Sequence, residues 1–159
     1  MNYVARDPVH LALPPFGYSS FFEGPVDAWG VFMDRFGTVR SNVVVRMNGA
    51  WRGDTFVLDE EFRFDDGVPD QRTWLLKDHA DGRFTATCDQ CAGPIEGRNI
   101  ANGAHIVYRF RITIRGIAFS VVFDDEVRRL DERRVFNRAT MKKFGITIGH
   151  FLLIAERRL

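Results

Sequence analysis

Glu60 and Arg72 are the two side chains best placed to do chemistry together. They flank an Asp65-Asp66-Gly67 turn signal. Before the turn, Phe56, Leu58, Phe62 and Phe64 share one parity, and after it Trp74 and Leu76 share one. Alternate residues of a strand point to the same face, so Glu60 and Arg72 are expected to face an aromatic interior with Phe62 and Trp74. An unpaired charge there is costly, and the simplest expectation is that the two pair with each other. The structural reading is a buried ion pair that fixes strand register; the functional one is an arginine set to take the acidic end of a ligand.

A second group is Asp124-Asp125-Glu126 with Asn137-Arg138, brought close by a hairpin about Asp131-Glu132. Carboxylates facing Arg138 could hold a cation or act as general acid and base. The structural alternative is a cluster that neutralises the arginine and marks a bulge. Cys88 and Cys91 form a C-x-x-C pair. A redox motif needs a βαβ context and a zinc site needs two further ligands, so two incidental thiols are expected, with no metal and no cofactor. His150, alone among apolar residues, reads as a hydrogen-bonded histidine rather than a haem ligand. The chain lacks G-x-x-x-x-G-K-[ST], G-x-G-x-x-G after a strand, G-x-S-x-G and H-E-x-x-H, which removes sequence support for the commonest nucleotide, dinucleotide and hydrolase chemistries.

The elements that must position these residues are strands. Among 159 residues, 15 Phe, 3 Trp and 3 Tyr favour sheet over helix and exclude a disordered chain. Period-two alternation, broken by glycines and Asp-Gly pairs, predicts strands over 28–36, 39–47, 55–64, 71–77, 83–88, 104–114, 118–130, 133–142 and 146–156. In 104–114, Ile106, Tyr108, Phe110, Ile112 and Ile114 should face in, and His105, Arg109, Arg111 and Thr113 out. The last strand is apolar on both parities, so both of its faces are expected to be covered, by the N-terminal arm or a partner subunit.

Connections such as Ala80-Asp81-Gly82 and Arg115-Gly116 suit tight hairpins. Parallel neighbours need crossovers of a dozen residues or more, and only 89–103 is long enough. Roughly nine sequential antiparallel strands close most simply into an up-and-down β-barrel of about eight to ten strands. A Greek-key sandwich, the alternative, would need longer loops. The fold class is therefore all-β, with an N-terminal arm over 1–18 and one barrel domain over 19–159.

A net charge of +1 gives no global field for nucleic acid. No secretory signal pattern opens the chain, and no apolar run reaches the ~20 residues of a spanning helix. The expected location is the cytoplasm.

Short segments along the chain resemble an uncharacterised bacterial family, domain of unknown function family 3833. They include Phe22-Glu23-Gly24, Ala28-Trp29-Gly30, Gly49-Ala50-Trp51, the run from Glu60 through Asp65-Asp66-Gly67, Arg72-Thr73-Trp74, Asp124-Asp125, and Asn137-Arg138 through Phe144-Gly145. The resemblance brings no activity, but it implies that Glu60, Arg72, Asp124, Asn137 and Arg138 belong to one recurring polar pattern. Glu126-Val127 departs from the family's Trp-Met after the paired aspartates. The Gly24 to Trp29 opening is also similar to the first strand of lipocalin-like (calycin) proteins.

These readings lead to a lipocalin-like binder of a small apolar or amphipathic molecule, an acidic one included, inside the barrel. Phe62, Trp74 and Tyr108 would form its wall, Arg72 its anchor, and the pocket would hold ~300 Å³ or more. Two rivals stand beside it. One is a small-molecule enzyme using Glu60, Asp124 and Arg138; the other is a non-catalytic module pairing with a second copy, a homodimer.

Overall fold

The computed structural model describes residues 13–114 and 116–158. Most of the expected arm, Arg115 of the expected Arg115-Gly116 turn and the side chain of Ile114 lie outside the described residues. One short helix, α1 (Tyr18–Phe22), precedes ten strands: β1 (Gly24–Asp34), β2 (Val39–Arg52), β3 (Thr55–Phe64), β4 (Pro69–Asp78), β5 (Arg83–Thr87), β6 (Ile95–Ile100), β7 (Gly103–Ile114), β8 (Ile117–Arg129), β9 (Arg134–Lys143) and β10 (Ile146–Arg157). Each strand pairs antiparallel with its sequence neighbours, and β1 pairs with β10, which closes the barrel. Trp29 stands opposite Ile154 and Val31 opposite Leu152 across this seam. Closure removes both sheet edges, and the sandwich alternative falls away.

The interior is the parity expected from alternation. Val26 and Ala28 of β1, Val43 and Val45 of β2, Phe56 and Leu58 of β3, and Val121 and Phe123 of β8 are all buried. On β7, Ile106, Tyr108 and Phe110 face in, while His105, Arg109 and Arg111 are exposed.

Because every strand reverses the last, α1 and the β2–β3, β4–β5, β6–β7 and β8–β9 turns share one end of the barrel. Here α1 is a plug. Phe16, Phe21 and Phe22 are buried, the Tyr18 amide donates to Asn99 Oδ1 at 3.0 Å, and the Phe16 amide donates to the Ala101 carbonyl at 3.3 Å. The other end carries the odd hairpin tips and no such plug among the described residues.

Three expectations are corrected. The stretch 89–103 is not merely a long connection, because it contains β6. Cys88 and Cys91 are not two free thiols but a disulfide, their Cα atoms 5.2 Å apart where the chain bends from β5 toward β6; the bend brings the two side chains together. The outer face of β10 is not covered: Ile146, Ile148 and Ile154 are exposed. The described part of the arm turns into the barrel end instead, and a register shift between Thr147 and Gly149 breaks the alternation of β10. Among the described residues, no helix is long and apolar enough to cross a membrane.

Candidate functional site

The β3–β4 hairpin delivers the first polar groups. Glu60 and Arg72 face each other in register, as their parity requires. They do not form the expected direct pair. Glu60 Oε2 instead accepts a hydrogen bond from Trp74 Nε1 at 3.0 Å, and Arg72 Nη2 reaches Asp70 Oδ2 at 3.4 Å near the mouth. The Arg72 guanidinium lies over the Phe62 and Phe110 rings, 4.3 Å from each centroid, a geometry in which the planar cation is held by two aromatic faces. Its Nε is buried and, among the described residues, has no hydrogen-bond partner. Burial raises the Glu60 pKa above the ordinary value, with Arg72 and the Trp74 hydrogen bond acting in the opposite sense.

β8 and β9 deliver the next groups. Asp125 shares parity with Val121, Phe123 and Val127, all buried, so its carboxylate points inward. Asn137 Nδ2 donates to Asp125 Oδ1 and to the Glu126 carbonyl, the latter at 3.2 Å. Burial lifts the Asp125 pKa to about 7, with the Asn137 hydrogen bond opposing and Glu60 adding to the rise. Tyr108 packs edge-on against Trp74, with centroids 5.2 Å apart, and Tyr18 reaches in from the plug. Burial foremost, and then the nearby carboxylates, push both phenols well above their usual range, so both remain neutral hydrogen-bonding groups.

These groups converge on one internal cavity lined by Glu60, Phe62, Arg72, Trp74, Tyr108 and Asn137 from the expected set. Asp124 and Arg138 are not there. Asp124 is on the outer parity of β8, 2.7 Å from His105 Nε2 and 3.7 Å from Lys142 Nζ, and Arg138 bonds Glu126 on the outer wall at 2.8 Å. The strand register passes through this region without a bulge. Asp125 and Tyr18 are the residues missed. Parity with Val121 and Phe123 would have found Asp125, whereas nothing local marks Tyr18, which acts through the plug. His150 Nδ1 lies 3.0 Å from Thr140 Oγ1, a satisfied histidine. Among the described residues, no cluster of His, Cys, Asp or Glu could hold a metal ion.

The cavity is smaller than expected, about 80 Å³, because the rings of Trp74, Tyr108, Phe123 and Phe151 pack into the middle of the barrel. That is room for a few water-sized groups. Its lining is an apolar shell around one guanidinium, two carboxyl groups, two phenols and one amide.

A family model described as "Protein of unknown function (DUF3833)" matches residues 6–157. The chain belongs to this family. No curated protein matches the sequence. Among solved structures, the S-type phycobiliprotein lyase CPES from Guillardia theta is similar, with a TM-score of 0.66 at 8% identity over 89% of this chain and 91% of that one. At that identity the likeness is one of fold: this DUF3833 member shares a lipocalin-like barrel with the lyase.

Proposed function

We propose that this DUF3833 barrel binds a small, mostly apolar molecule through its polar end, with Arg72 as the anchor and Phe62, Trp74 and Tyr108 as the wall. The observation that carries this is Arg72 Nε, a buried donor on a residue that lines the aromatic cavity, left without a hydrogen-bond partner among the described residues. Such donors are rare in folded proteins and ask for an explanation. A ligand carboxylate or carbonyl would supply the missing acceptor with a charge-assisted bond. The small free volume means that the polar end enters existing space and the apolar remainder must displace rings, so affinity includes the cost of that repacking.

A fluorescent naphthalene sulfonate serves as probe, combining an anionic group with an apolar body, and native mass spectrometry reads any small molecule carried through gentle purification. The expected results are saturable probe binding with quenching of Trp74, and a ~10- to 100-fold loss of affinity in Arg72→Gln. Binding unchanged in a folded Arg72→Gln protein would overturn the assignment.

One observation favours a second reading. Asp125, with a pKa of about 7, is poised between acid and base near neutrality, and the structural neighbour is by name a lyase. An enzyme on this site would use Asp125 and Glu60 rather than the trio of Glu60, Asp124 and Arg138, whose groups do not meet. Turnover of any bound molecule that Asp125→Asn fails to slow would remove it.

A further inference from the structure

The unplugged end carries an unusual set of side chains. β1, β10, β9, β8 and β7 are neighbours in the barrel, so the β1–β2, β9–β10 and β7–β8 hairpin tips lie side by side on the rim. They expose Phe36 (79%), Phe144 (89%), Ile117 (61%) and Ile146 (56%) to solvent. The first two tips touch through the Arg35 amide, which donates to the Ile148 carbonyl at 2.9 Å, and a shallow cleft of about 310 Å³ lies between them.

Phe144 is the least expected of these residues. With Gly145 it forms a two-residue loop in which both residues have positive φ, 52° and 74°. Asn or Gly normally fills the first position, and a bulky side chain there carries strain. Phe144 is also almost fully exposed, so no burial within the chain offsets that strain. The ring stands out in solvent.

The charges around these rings indicate what surface suits them. Arg35 lies over Phe36 with its Cζ 4.6 Å from the centroid, and Lys143 Nζ lies 4.8 Å from the Phe144 ring and 5.9 Å from Phe119. Among the described residues neither cation has a carboxylate within salt-bridge distance; Lys143 donates to the Ser120 carbonyl instead. Arg111 stands exposed on the same sector. Asp34, which precedes Arg35 on β1, is taken up by Arg40 at 2.7 Å and by the Phe36 and Thr38 amides, and on the adjacent β3–β4 tip Asp65 accepts from the Asn42 amide and Asp66 from the Val68 amide.

Exposed aromatic tips flanked by cations that have no carboxylate partner among the described residues match a surface with anionic phosphates above hydrocarbon. A protein partner would need a preformed apolar pocket for each separate tip, whereas a bilayer accepts all of them at once. We infer that this sector of the rim docks on an anionic lipid bilayer, inserting Phe36 and Phe144 while Arg35 and Lys143 contact headgroups. The inference does not rest on a ligand inside the barrel.

The test is co-sedimentation of the full chain with vesicles of phosphatidylcholine alone or with ~30% phosphatidylglycerol, alongside light scattering of the free protein. Binding to the mixed vesicles, weakened by salt and well above that to phosphatidylcholine, is expected. Phe36→Ser/Phe144→Asn, in which Asn suits the left-handed turn, should lower partitioning at least tenfold. Arg35→Glu/Lys143→Glu should lower it by more than ~25-fold, since each basic residue near an anionic surface is worth about fivefold. Arg72→Gln should leave it unchanged, which separates this result from failure of the ligand reading. Absence of binding to mixed vesicles, or full binding by a folded aromatic variant, overturns the inference. So does a homodimer that the aromatic variant converts to monomer, because the tips would then face a second copy.

Discussion

At the residue scale, Asp125 governs how the site responds to pH. Its pKa rises from 3.8 to about 7, first because the carboxyl group is buried. As pH climbs through this window the unfolded chain releases the proton before the folded one does, so the folded state binds more protons and stability falls. The contribution is present in full below about pH 3.8, is lost as pH rises through about 7, and is on the order of 4 kcal/mol over that span. Glu60, also raised by burial, acts in the same direction. Asp125→Asn keeps an oxygen for Asn137 and cannot ionise, so it should be more stable than the parent at pH 8 and should lose more than half of the difference between pH 5 and pH 8. Urea midpoints at the two pH values would show it, and an unaltered pH dependence would mean that Asp125 is not buried in the barrel. The interior acid and base of β3 and β4 were legible because Phe62 and Trp74 fix their parity. Their partners were not, since register places Glu60 opposite Arg72 while the choice between Arg72 and the Trp74 indole depends on side-chain directions. Asp124 and Arg138 were misplaced because a run of adjacent charges conceals parity, although buried Val121, Phe123 and Val127 disclose it.

At the element scale, the strands with two or more large inward residues were legible from alternation, and β6 was not. Its inward positions are Ile95, Gly97 and the polar Asn99, and the glycine is required because a Cβ there would lie 2.3 Å from the Phe84 ring of β5. An aromatic on one strand fills the space of its neighbour's side chain, which erases the apolar pattern that sequence reading depends on. The same device seats α1. A Cβ on Gly49 would come 2.1 Å from the Phe22 carbonyl oxygen and 2.3 Å from the Phe56 ring, so β2 can lie this close to the plug because the position is a glycine. Five residues are too few to mark a helix by periodicity, and α1 holds through burial of Phe21 and Phe22 instead. Gly49→Ala should displace the plug, lower stability by ~1–3 kcal/mol, and open the interior to the naphthalene sulfonate probe from the second end. A variant matching the parent in both stability and probe uptake would show that α1 does not depend on this contact.

At the scale of the whole molecule, closure is what turns alternating strands into a site. Short hairpins bring neighbours together locally, but the seam joins Val26 to Arg157 and Trp29 to Ile154, from opposite ends of the chain. Contacts of such sequence separation form slowly because loop-closure entropy must be overcome before they add stability. The barrel should therefore refold in milliseconds to seconds with the seam formed late. The last strand also has no substitute: Leu153 and Ala155 are buried in the core, and Phe151 packs on Phe32, Phe64 and Phe123. Without β10, β1 and β9 would become free edges flanking an open aromatic interior, the arrangement most prone to edge-to-edge association. A chain ending at Gly145 should retain much of its strand signal in the far ultraviolet, lose its aromatic near-ultraviolet signal, unfold without a cooperative transition and self-associate in light scattering. The shortened chain unfolding as a cooperative monomer would mean that nine strands can close or cap themselves, and that the cavity does not require the β1–β10 seam.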